Sequence, residues 1–224
     1  MDIELNFDKE LAQIIDHTIL RPGTTLKQVK TICDQAIKYN FAAVCVPPCY
    51  VDEAFEWLKI PEINVTTVIG FPMGFETLPA KLAETANAIS NGCTEIDACV
   101  NIGMMKEGRW DYIESEIKDL TELVQRKGRI LKIIIEAGLL DEAEIKKACA
   151  LCAKYKVMYV KTSTGFVEQG ATPEMVAHMR EILPKNIRIK ASGGIRTREE
   201  ALALIDAGAD RIGTSSSLAI IGVA

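Results

Sequence analysis

Histidine is almost missing from this chain of 224 residues, where His17 and His178 are the only two. No His, Asp, Glu or Cys cluster has ligand spacing either, so no metal centre is expected. No apolar stretch reaches membrane-spanning length, which argues against a membrane partner. The opening MDIELNFDKE is acidic and lacks both the basic region and the apolar run of a secretory leader. Lys and Arg are scattered and the net charge is −5; without a basic stripe, no nucleic-acid surface is expected, and a small anionic ligand needs cations that converge locally. Seven cysteines in no regular framework suit reduced thiols in a cytoplasm better than disulfides. Cys149 and Cys152 form a CxxC, but inside the helix-like stretch DEAEIKKACALCAKY with no second pair nearby, so they read as small residues packed on a helix face.

What the chain does have is a large apolar share, 48%, enough for one domain over residues 1–224. Eight apolar, β-branched runs recur: QIIDHTI, FAAVCV, NVTTVIG, CTEIDACV, RILKIIIE, VMYVK, IRIKAS and DRIGTS. Between them lie segments of helical spacing, as in Leu26, Val29, Ile32, Cys33, Ala36 and Ile37. Capping-box pairs (Thr25 with Gln28, Asp141 with Glu144, Thr197 with Glu200) and Thr172-Pro173 predict helix starts. Asn40, Gly92, Gly128 and Gly208 predict helix stops. Eight strands alternating with helices predict a closed (β/α)₈ TIM barrel. The alternative, an open doubly wound sheet, lacks its Gly-x-Gly-x-x-Gly turn after the first strand.

Strand parity sorts the charged residues. If Lys161 and Lys190 point inward, then Tyr159, Val157, Arg188 and Ser192 share their direction; an inward Asp97 brings Glu95, Cys99 and Asn101, and an inward Glu136 brings Lys132. With Asp16, the interior is then expected to hold four cations and four carboxylates, the balance that buried charges require. Asp16, Asp97, Glu136, Lys161 and Lys190 lie toward the C-terminal strand ends, where barrel enzymes place their chemistry. His17, next to Asp16, faces the helix layer by the same parity and is given no catalytic role.

The runs VKTSTGF and IKASGGI both end on a lysine followed by small hydroxyl and glycine residues. A second cation and desolvation both disfavour the charged form, so one ammonium of such a pair is expected to become a neutral amine, a nucleophile for carbonyls. Spacing alone leaves open the reading in which both lysines merely bind anions. The clusters STG (163–165), SGG (192–194) and GTSS (213–216) follow the sixth, seventh and eighth strands, where backbone N–H groups and hydroxyls commonly cradle a phosphate. A small phosphorylated molecule is the expected ligand.

Together, IDHTIL, VIGFPMG, EIDACVNIG, VKTSTGF, KASGGIRT and RIGTSS, in this order from about Asp16 to Ser216, resemble the deoxyribose-phosphate aldolases, a class I aldolase family. The resemblance implies a TIM barrel that cleaves 2-deoxy-D-ribose 5-phosphate reversibly through a Schiff base, with no metal and no cofactor. It implies Lys161 as nucleophile, Lys190 as the neighbouring cation and Asp97 as the acid/base group. Gly165, Gly193, Gly194, Gly213, Ser215 and Ser216 would hold the phosphate, and Asp16, Thr162 and Cys45 would line the site, Cys45 equally readable as a small buried apolar residue. A homodimer or higher homo-oligomer is compatible with it. The chain departs from the family pattern at Arg21, Pro47, Ala98-Cys99, Ala137 and Ser217, which bears on pocket shape and leaves the catalytic groups in place. The other readings are a phosphosugar isomerase or synthase barrel without a covalent intermediate, and a phospho-ligand sensor that keeps the barrel without catalysis.

Overall fold

Each of the eight apolar runs forms a strand: β1 (Ile15–Thr18), β2 (Ala43–Val46), β3 (Asn64–Ile69), β4 (Glu95–Cys99), β5 (Ile130–Ile134), β6 (Tyr159–Lys161), β7 (Arg188–Ser192) and β8 (Arg211–Thr214). All pair in parallel in chain order, and β8 closes on β1 through Ile15 with Ile212, Asp16 with Gly213 and His17 with Thr214. The (β/α)₈ barrel is therefore closed, and the open-sheet alternative falls. The computed structural model describes residues 7–223. Residues 1–6 and 224, with most of the acidic opening and the outer limits of the 1–224 domain assignment, lie outside them.

The helices are α1 (Lys9–Ala12), α2 (Leu26–Tyr39), α3 (Val51–Trp57), α4 (Leu78–Ser90), α5 (Ile102–Lys106), α6 (Trp110–Arg126), α7 (Glu142–Lys154), α8 (Pro173–Ile182), α9 (Arg198–Asp206) and α10 (Ser217–Ile220). Their ends follow local chemistry. All three expected capping boxes form, at Thr25, Asp141 and Thr197, each satisfying backbone N–H groups that the first helical turn leaves free. Thr172 caps α8 through the Met175 N–H, just ahead of Pro173. Asn40 ends α2 in the left-handed region at φ 54°.

The strands divide two environments. Outward residues such as Val44, Val65, Ile96, Ile133, Val160, Ile189 and Ile212 join one apolar core with the helix faces, for example Ile113, Ile117, Leu120 and Val124 of α6. Cys149 and Cys152 belong to that core as buried free thiols on α7. The inward faces carry Asp16, Thr66, Glu95, Asp97, Lys132, Lys161 and Lys190, all buried. Dispersion and burial of apolar area therefore hold the shell together, while the barrel's centre is held by charge. Among the described residues, no helix is long and apolar enough to cross a membrane.

Candidate active site

Four cations and three carboxylates form one ion network inside the barrel. Lys132 reaches Glu95 Oε2 at 2.5 Å, Asp97 Oδ1 at 3.0 Å and Asp16 Oδ2 at 3.7 Å. Arg211 reaches Asp16 Oδ1 at 2.8 Å and Glu95 Oε1 at 3.5 Å. Nearer the C-terminal ends, Lys190 is paired with Asp16 Oδ2 and, at 2.7 Å, with Asp97 Oδ2. Lys161 has one partner, the same Asp97 Oδ2, at 2.8 Å. The two lysines stand side by side because β6 and β7 place them in register.

This network alters the expected inventory. Arg188 is exposed at the first position of β7 and donates to the Tyr159 hydroxyl at 2.9 Å. It lies at the N-terminal rim, where the inward direction opens to water. The fourth cation is Arg211 instead, and it shares its parity with Gly213. Glu136 leaves the network as well: the chain ends β5 at Ile134 and turns Glu136 into the left-handed region at φ 49°, so alternation no longer applies. Its carboxylate accepts from the Thr164 N–H at 3.1 and 3.2 Å, and burial raises its pKa above the usual carboxylate value. Thr66, which no motif flagged, donates to Glu95 Oε2 at 3.1 Å.

Protonation states follow from these partners. Burial alone would raise the Asp97 pKa, yet Lys132, Lys161 and Lys190 outweigh it and hold the carboxyl well below its ordinary value. Burial is likewise overcome at Asp16 by Lys190, Lys132 and Arg211, which lower its pKa. Burial disfavours charge on Lys190, but Asp16 and Asp97 push its pKa up, so Lys190 remains an ammonium. Burial pushes the Cys45 thiol up to about 11, which leaves it neutral on the inner face. Burial lowers the His17 pKa, and the ring sits outside the network, 2.9 Å from Ser217 Oγ and 2.7 Å from Gln35 Oε1. Ser217, one of the departures, is thus the partner of His17.

Above the network opens a cavity of about 890 Å³, lined by Lys161 and Lys190 together with Gly165, Gly193, Gly194, Gly213, Ser215 and Ser216. All six residues expected to hold phosphate therefore surround the same space as both lysines. Two of the glycines leave no room for a side chain. A Cβ on Gly213 would come within 2.8 Å of Lys190 Cε, and one on Gly193, at φ 89°, within 3.2 Å of Gly165 Cα. Ser216 already donates its N–H to Thr214 Oγ1 at 2.9 Å, so its hydroxyl is the group it can offer a ligand. Asp16, Asp97 and Cys45 lie beneath the cavity. Thr162 turns away from it, and its hydroxyl accepts from the Ser192 N–H at 3.1 Å, pinning β6 to β7. Below the network the Tyr159 ring fills the barrel, with the Arg188 and Arg211 guanidinium carbons 5.5 and 5.7 Å from its centroid. Among the described residues, no group of three His, Cys, Asp or Glu side chains converges as a metal site.

The sequence model of the DeoC/LacD family aldolases matches residues 10–222. A deoxyribose-phosphate aldolase of Geobacillus sp. (strain WCH70) is 47% identical over 214 residues, 96% of this chain and 96% of its own. The deoxyribose-phosphate aldolase of Clostridium kluyveri is 46% identical over 213 residues, 95% of this chain and 97% of its own. Among solved structures, the tetrameric deoxyribose phosphate aldolase of Aeropyrum pernix superposes with a TM-score of 0.89 at 30% identity, covering 95% of this chain and 90% of that one.

Asp97 faces three cations, so Asp97→Asn should destabilise the fold by about 3–5 kcal/mol, read from denaturant unfolding near neutral pH. The sign of its pH dependence is fixed. A carboxyl whose folded pKa is depressed contributes fully above its unfolded value, about 3.9, and loses that contribution as pH falls toward the folded value. The stability gap between the parent and Asp97→Asn should therefore be constant from about pH 7 to about pH 5 and narrow below about pH 4. A gap that is absent, or that widens in acid, would remove Asp97 from the centre of the network.

Proposed function

Because the chain belongs to the DeoC/LacD aldolase family, we propose that it reversibly cleaves 2-deoxy-D-ribose 5-phosphate into D-glyceraldehyde 3-phosphate and acetaldehyde through a Schiff base on Lys161. The observation that carries this reading is the unequal surroundings of the two lysines. Lys190 holds two carboxylates, whereas Lys161 shares a single oxygen with it and borders the cavity. The network carries one more cation than carboxylates, and releasing the Lys161 proton leaves it neutral.

The neutral amine of Lys161 attacks the aldehyde carbon of the open-chain sugar, and the resulting carbinolamine loses water to form the iminium. A base then takes the proton of the 3-hydroxyl. The bond between C2 and C3 breaks, its electron pair moves into the iminium to give an enamine, and D-glyceraldehyde 3-phosphate departs. Protonation at C2 and hydrolysis release acetaldehyde and restore Lys161. Asp97 is the acid/base group of these transfers, acting through water, and Lys190 remains the adjacent cation. Gly165, Gly193, Gly194, Gly213, Ser215 and Ser216 hold the phosphate by N–H groups and hydroxyls. None of these steps calls for a metal or an organic cofactor. A cytoplasmic location fits the buried free thiols, and a homo-oligomer fits the likeness to a tetrameric relative.

Borohydride reduction in the presence of acetaldehyde should leave an ethyl group on Lys161, located by peptide mass mapping, and a chelator should not prevent it. An adduct on Lys190 alone would overturn the assignment of the nucleophile.

Replacing Lys190 by Leu removes the cation that pairs with both Asp16 and Asp97. Turnover should fall on the order of 100-fold or more, while the fold survives and the acetaldehyde adduct on Lys161 still forms more slowly. Parental turnover in this variant would remove Lys190 from the reaction.

Placing a like charge against the phosphate is costly by several kcal/mol. Ser216→Asp should therefore lower kcat/KM for the phosphorylated sugar on the order of 100-fold while barely changing that for 2-deoxyribose. Equal losses on both sugars would mean that the β8 loop serves structure rather than recognition.

A further inference from the structure

One motif in the chain has no part in the chemistry above: VIGFPMG, at the end of β3. Its loop is fastened from α4 and α6 by a buried ion pair, Lys81 with Glu116 at 2.5 Å, both side chains fully buried. All three Lys81 protons are used. Besides Glu116 Oε1, the ammonium donates to the Gly74 carbonyl and to the Cys99 carbonyl, each at 2.6 Å. Glu116 Oε2 accepts from the Asn101 N–H at 2.9 Å. A second residue of α4, Glu84, accepts from the Gly70 N–H at 2.9 Å. The lysine stem passes so close to the loop that a Cβ on Gly70 would lie 2.7 Å from Lys81 Cε.

The fastened segments flank Lys161 on two sides. Cys99 ends β4 two residues after Asp97, which is 2.8 Å from the Lys161 amine. Within the loop, Phe71 places its ring centroid 5.9 Å from Lys161 Nζ and packs edge-on against Phe166 at 5.2 Å, with an interplanar angle of 87°. Phe166 itself lines the cavity. An ion pair buried this deeply is not favoured for stability alone, because a well-packed apolar pair of similar volume commonly does as well or better. What an apolar pair cannot do is grip two carbonyls and an N–H at fixed positions.

We infer that Lys81 and Glu116 are positioning residues for the aldolase reaction, seating Phe71 as the apolar wall beside the Lys161 iminium. The inference rests on the proposed Schiff base at Lys161. The wall keeps water from the iminium on that side, so that the enamine meets the aldehyde held by the phosphate loops rather than solvent. Lys81 and Glu116 make no hydrogen bond to those loops, which follow β6, β7 and β8, so the phosphate's contribution to binding should change little.

The test is a mutant cycle on the full chain with 2-deoxy-D-ribose 5-phosphate, using the double variant Lys81→Met/Glu116→Leu, the single variant Phe71→Ala, and all three changes together. Removing both charges at once avoids stranding either one; the Gly74 and Cys99 carbonyls and the Asn101 N–H lose their partners, so thermal unfolding should come at a lower temperature but stay cooperative. Displacing a reacting group by as little as 1 Å costs up to about 100-fold; the double variant and Phe71→Ala should each lower kcat by about tenfold or more, with KM changed less than about twofold. The triple variant should be no slower than about twofold below the slower of the two, because the pair acts through Phe71. Losses that multiply in the triple variant would overturn the inference, as would a double variant with parental kcat or a KM that rises in step with the fall in kcat. Phe71 is half-buried and borders a neighbouring cavity with Phe166, so Phe71→Ala decides even if the double variant does not fold: parental kcat there overturns the inference. Failure of the Schiff-base reading itself shows separately, as a parent chain that gives no borohydride-trapped Lys161.

Discussion

The interior of this barrel depends on a single constraint, that buried charges must balance. Asp16, Glu95 and Asp97 are surrounded by Lys132, Lys161, Lys190 and Arg211 at depths where water reaches almost none of them. Each ion would be prohibitive alone, so the strands must hold their register closely enough for every charge to meet a partner. The parallel pairing of Lys161 with Lys190 and of Asp97 with Lys132 across neighbouring strands is the backbone expression of that requirement. In the proposed reaction the same balance singles out Lys161: one positive charge is in excess, and this lysine has the fewest charged partners and borders the cavity.

Much of this was legible in the sequence because local signals and the global fold agree. The strand runs, the capping boxes and the left-handed stop at Asn40 each rest on interactions within a few residues, and each appears where expected. Lys161 and Lys190 stood out as strand-end lysines ahead of small hydroxyl and glycine residues, and they lie with Asp97 on the inner face, as the parity argument assumed. The misreadings occur where the strands end. Arg188 points toward Tyr159 on the inner side as expected, but at the strand's first position, beside water, it joins no ion pair of the network, and Glu136 lies past the strand's last, where a left-handed turn redirects its carboxylate to Thr164. Thr162 follows Lys161 by one residue, so alternation turns it outward, and its hydroxyl serves β7 instead of the cavity.

Other residues were missed although a signal existed or because none could. Arg211 precedes Gly213 by two residues, and a glycine chosen to clear Lys190 marks that face as inward, so the same parity would have found the fourth cation. Thr66 could be found only by counting the lone pairs that Glu95 must satisfy. Lys81 and Glu116 carry no local signature: they are charged residues on the buried faces of two amphipathic helices, and their pairing, 35 residues apart in sequence, exists only once the barrel has closed.

The Tyr159 ring and the two guanidinium groups plug the barrel below the network. On the other side, the cavity beside Lys161 is bordered by the glycine and serine loops after β6, β7 and β8. In the proposed reaction, a phosphorylated product held by those loops would stand between solvent and the fragment bonded to Lys161, and would leave ahead of it. The plug would then give the chamber an order of traffic that the covalent bond alone does not impose.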